Sequence, residues 1–131
     1  MKLKTWLAIK AACALIVGLC MLTIPGIFLS VLGVADGLGA AIYGRIYGAA
    51  CIGILLLTWF GRNVDDSVAR KAIILDLCVY DAIAFITTLV VQLSGATNAL
   101  GWIVVAFYLL FTLAFGYYLL PRRNVPLNRL R

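Results

Sequence analysis

The sequence predicts an all-α integral membrane protein, a four-transmembrane-helix up-down bundle with a short interfacial or re-entrant segment between helices 1 and 2. Three observations carry that reading. Of 131 residues, 65% are hydrophobic and 12% charged, far from the roughly 45–50% apolar and about 25% charged typical of soluble domains. Four apolar stretches, residues 6–24, 40–60, 72–92 and 100–120, each approach the ~20 residues that cross a ~30 Å hydrocarbon core as a helix. The basic residues, finally, are grouped rather than spread.

Those groups fix an expected orientation. Lys2, Lys4 and Lys10 precede or enter the first span, Arg62, Arg70 and Lys71 flank the middle loop, and Arg122, Arg123, Arg129 and Arg131 follow the last span. Loops rich in Lys and Arg stay on the cytoplasmic side, so both termini and the middle loop are expected in the cytoplasm, most simply that of a bacterium with the spans in its inner membrane. Scattered in this way, the net charge of +6 is a topology signal rather than a nucleic-acid surface. The spans consume most of the chain, which therefore forms a single transmembrane domain over residues 1–131, with 121–131 as a basic cytoplasmic tail. Any chemistry has to sit between helices or at their ends.

Span one follows two lysines, as a signal peptide would, but Lys10 interrupts its apolar core and no small-x-small cleavage site follows. It is expected to be retained. Pro25-Gly26 punctuates its end. Residues 27–35 are apolar but too short to span, and three placements are open: in the interface, re-entrant, or continuing span one past a kink. In span two, Gly44 and Gly48 stand four apart, with Ala49 and Gly53 repeating the interval. Such spacing lets helix backbones approach closely, and Gly44, Gly48 and Gly53 are expected to pack against Ala14 and Gly18 of span one or against a second copy. In the middle loop, Asp65 or Asp66 suits a helix N-cap. The turn at 94–99 makes spans three and four a tight hairpin.

Cys13, Cys20, Cys51 and Cys78 all fall inside spans, and there is no histidine. Buried thiols of this kind act as small apolar fillers, so neither a metal nor another cofactor is expected.

The polar residues within the spans want explanation, because an ionisable group at mid-depth costs about 2.5–3.5 kcal/mol on insertion scales. Asp76 and Lys10 fall at similar depths from the cytoplasmic end, which suggests a structural ion pair, with Tyr80 nearby. Arg45, near the outer end of span two, has Asp36 of the preceding loop as its nearest acidic candidate; otherwise it could hold an anionic group. Asp81 lies deeper, with no basic residue apparent at its level. At ~100° per residue, Asp81, Thr88 and Gln92 share a helix face within about 40°. Two roles are open for this stripe: interhelical hydrogen bonding, with Thr112 and Cys51 at similar depth, or a proton or ligand site.

The run Tyr43-Gly44-Arg45-Ile46-Tyr47-Gly48, opening span two after an interrupted outer loop, resembles the small four-span bacterial membrane proteins loosely grouped as DoxX-like. That resemblance implies a compact four-helix bundle and, for some members, an accessory role in quinone or sulfur metabolism. It carries over no catalytic residue. With no nucleophile–base, metal or phosphate motif, the chain is expected to be a non-enzymatic accessory or structural subunit. The alternative is a small carrier or a lipophile- or ion-binding protein using Asp81 and Arg45. Expected partners are the lipid bilayer and another membrane protein or a second copy, not nucleic acid.

Overall fold

The computed structural model describes residues 2–35 and 37–120. Five helices follow one another: α1 Leu3–Thr23, α2 Pro25–Val31, α3 Leu38–Gly61, α4 Ser67–Leu93 and α5 Gly101–Leu119. The four long ones have 21, 24, 27 and 19 residues and are apolar enough to cross a membrane, and at ~1.5 Å per residue even the shortest reaches about 28 Å. The chain is thus an all-helical integral membrane protein. The basic tail at 121–131 lies outside the described residues.

Each boundary has a local cause. Pro25 lacks an amide hydrogen and occupies the first turn of α2, so the helical path breaks at Ile24, whose N–H still reaches the Cys20 carbonyl at 2.8 Å. The connector is therefore a short helix beginning at Pro25, not an irregular stretch beginning at Ile27. Gly33, at φ 82°, turns the chain out of α2. The fourth helix starts five residues earlier than the expected 72, because Asp66 caps it: its carboxylate accepts from Val68 N at 2.7 Å and Ala69 N at 2.9 Å.

Packing divides the bundle into two hairpins, α1 with α3 and α4 with α5, while α2 lies on α3. The α1–α3 seam depends on missing side chains. A Cβ added to Gly48 would stand 2.9 Å from both the Gly18 carbonyl and the Leu22 amide, and one added to Gly44 would stand 2.8 Å from Pro25 Cβ. Gly53 takes no part. Nothing lies within 4 Å of where its Cβ would be, and Ala49 is exposed. Nine residues beyond Gly44, Gly53 has rotated about 180° to the opposite face of α3.

The two hairpins meet most closely where α1 begins and α5 ends, here called the basal end. There Leu7, Ile74, Leu77, Phe111 and Phe115 form a buried cluster, and Trp6 meets Phe111 edge-on with ring centroids 5.7 Å apart. At the opposite end a polar clasp joins them. The Asn98 side-chain amide donates to the Val31 carbonyl at 2.8 Å, and its backbone N–H donates to the Leu32 carbonyl at 2.9 Å. Between these two ties the hairpins part.

Candidate functional site

Two periodic stripes converge just above the basal cluster. On α1, Leu7, Lys10, Ala11, Ala14, Gly18 and Met21 are buried; on α4, Ile74, Leu77 and Asp81 are. Lys10 and Asp81 each occupy a place on an otherwise apolar face, and their side chains form an ion pair that is 4% and 0% exposed respectively. Burying either charge alone would be costly, and the pair is tolerable because each neutralises the other.

Four rings surround the ammonium. Lys10 Nζ lies 4.7 Å from the Phe111 centroid, 5.2 Å from Phe107, 5.4 Å from Tyr108 and 5.5 Å from Tyr80, all within cation–π range. Tyr80 in turn meets Tyr108 edge-on at 6.4 Å, and the hydroxyls of Tyr47 and Tyr108 are hydrogen-bonded across the gap between α3 and α5. Asp81 Oδ1 accepts from Lys10, whereas its Oδ2, equally buried, has no hydrogen-bond partner among the described residues.

Above this cluster the parted hairpins leave a half-open cavity of about 550 Å³ between them. Lys10, Tyr47, Cys51, Tyr80 and Tyr108 line its basal end; Met21, Phe28, Leu32 and Ile103 line the other. Phe28 of α2 and Leu32 just beyond its end form the roof, held across the hairpins by Asn98. The walls are otherwise mainly aliphatic, with Cys13 and Phe107 among them, and the hydroxyls of Thr87 and Thr88 already donate to carbonyls of their own helix. No family model, curated protein or solved structure matches this chain. Its chemistry has to be read from the cavity itself.

Several expected partnerships are redistributed. Lys10 pairs with Asp81 rather than Asp76, which is exposed. Similar depth was not a sufficient criterion: five residues separate the two aspartates, so Asp76 points about 140° away from Asp81 on the helix. Thr88 lines the cavity, but Gln92 serves the turn, donating to the Asn98 carbonyl at 3.1 Å and accepting from the Thr97 hydroxyl at 2.6 Å. Thr112 donates to the Tyr108 carbonyl at 2.8 Å, and Cys51 lines the cavity. Arg45 is exposed and is not among the cavity-lining residues; Asp36, its expected companion, lies outside the described residues.

Tyr47, Phe107, Tyr108 and Phe111 escaped the sequence reading. Aromatic residues in apolar spans carry no mark of their own, and their role becomes visible once Lys10 is placed on the same buried stripe as Leu7 and Ala14. The spacing of apolar residues around Lys10 and Asp81 carries that placement, because it fixes the helix face of each as well as its depth.

Proposed function

We propose that this chain is a non-enzymatic binding protein or carrier for a lipophilic small molecule, held inside the bundle between the two hairpins. The observation that supports this most is the cavity of about 550 Å³, within the roughly 300–1,000 Å³ of small-molecule sites and built in the same way, with apolar walls and a few convergent polar groups. The buried ion pair and phenol pair supply those groups at one end. The distribution of Lys and Arg supports an orientation with the basal end in the cytoplasm, in a bacterial inner membrane.

A binding titration tests the reading. Purified protein in lipid nanodiscs is titrated with a fluorescent long-chain alkyl probe, in parallel with Ala84→Phe, which fills the cavity from the α4 wall. Saturable binding that falls at least about tenfold in the variant, at unchanged helical content, is expected, because an aromatic side chain placed there excludes the probe's apolar body. Equal partition into wild type, variant and empty nanodiscs would overturn it and restore the accessory-subunit reading.

A further inference from the structure

Resting on the cavity as a lipophile site, we infer the chemistry of the molecule's head: a neutral hydrogen-bond acceptor, a carbonyl oxygen, carried at one end of a long apolar body and seated at the basal end among Lys10, Tyr47 and Tyr108.

The polarity of the cavity is one-ended. Met21, Phe28, Leu32 and Ile103 at the α2 end offer a ligand hydrocarbon, a ring and a thioether but no hydrogen-bond donor, and the threonine hydroxyls partway down already donate to backbone carbonyls. The side chains able to orient a ligand gather instead where Lys10, Tyr47, Tyr80 and Tyr108 line the space. A molecule that fits both ends is amphiphilic in one direction.

The groups at the basal end are chiefly donors. An ammonium has three N–H bonds and no acceptor, and the hydrogen bond that Lys10 makes goes to Asp81 Oδ1, so N–H bonds remain for a ligand. The phenols of Tyr47, Tyr80 and Tyr108 hydrogen-bond among themselves, and Tyr47 also meets the Cys51 thiol; these are weak acceptors, so a carbonyl oxygen competes with them for a phenol O–H. Cys51 beside them is a weak acceptor. The strong acceptor of the cluster, the Asp81 carboxylate, does not line the cavity; it lies behind Lys10, fully buried. A head that accepts is therefore served, and one that needs to donate finds weaker partners.

Charge removes the obvious rival. A fatty-acid carboxylate is also an acceptor, but Lys10 is already neutralised by Asp81, and a second anion would sit uncompensated within an apolar cavity beside the first. An ammonium head would face the same difficulty against Lys10. The neutral carbonyl, which takes hydrogen bonds without adding charge, is the head that this arrangement fits.

The experiment compares four probes of one chain length in the same nanodiscs: a methyl ketone labelled with ¹³C at its carbonyl, and the matching alkane, primary alcohol and fatty acid. In wild type the ketone is expected to bind about tenfold more tightly than the alkane, the gain of one to two good hydrogen bonds, and more tightly than the alcohol or the acid. Its labelled carbonyl stretch should move to lower wavenumber than in protein-free nanodiscs. Tyr47→Phe/Tyr108→Phe should reduce both the preference and the band shift. So should Lys10→Met/Asp81→Leu, which removes the ammonium without stranding the carboxylate. If one variant does not fold, the other still decides. Ketone and alkane binding equally, an unshifted carbonyl band, or the fatty acid binding best would each overturn the carbonyl assignment while leaving the lipophile site standing. If none of the four binds saturably, the site itself fails.

Discussion

At the scale of single residues, the ion pair sets the sharpest expectation. Replacing one partner strands the other in a nearly water-free interior, so Asp81→Leu or Lys10→Met alone should destabilise the protein by about 3–5 kcal/mol. The double change to Leu and Met should restore most of that loss, because a buried pair exchanged for apolar residues of similar volume is close to neutral. Thermal unfolding in detergent measures both, and additive losses in the double variant would refute the pairing. Asp66 sets a second expectation, outside the spans. The amides of Ala69 and Val68 hold its carboxyl below the ordinary carboxylate range. A carboxyl lowered on folding stabilises the fold above its unfolded value, near 4, and loses that contribution as pH falls through the lower folded value. The start of α4 should therefore fray in strong acid, and Asp66→Asn should flatten that part of the pH profile, as followed by amide exchange at Val68 and Ala69. Of these two features the cap was legible in the sequence, since capping needs only residues two and three places away. The ion pair was not, because its partners stand 71 positions apart and their meeting depends on two helix rotations at once.

At the scale of elements, the α1–α3 seam separates two glycines that look alike in the sequence. A methyl at Gly48 collides with backbone atoms of Gly18 and Leu22, which cannot turn aside as a side chain could. Gly48→Ala should cost about 1–3 kcal/mol, whereas Gly53→Ala, facing open space, should be neutral or stabilise α3 by up to about 1 kcal/mol. The reverse order in unfolding measurements would refute the seam. The four long helices were legible to within about five residues at their ends because length and hydropathy depend on each segment alone. The short α2 was legible as an interruption but not as a roof. Its place over the cavity comes from Asn98, in a turn on the other hairpin.

At the scale of the whole molecule, crossing by all four long helices is expected to bring Leu3 and Leu119 to the same side of the membrane. Reporters inserted at Gly95 and fused after Arg131 should read opposite sides of the membrane, with the Arg131 fusion cytoplasmic; agreement between the two would refute the four-span arrangement. The four long helices were legible from hydropathy, but the division into two hairpins with a hollow between them was not, because composition does not say which faces stay apart. The ion pair that closes the base of that hollow also bears on biosynthesis. A ribosome releases Lys10 long before Asp81, and through that interval α1 enters the bilayer carrying a charge whose buried counterpart has yet to be made. The lysine must keep its ammonium at the headgroup level until then. The first hairpin can therefore reach its final depth only when the second arrives, which makes insertion of α4 the step that commits the whole bundle.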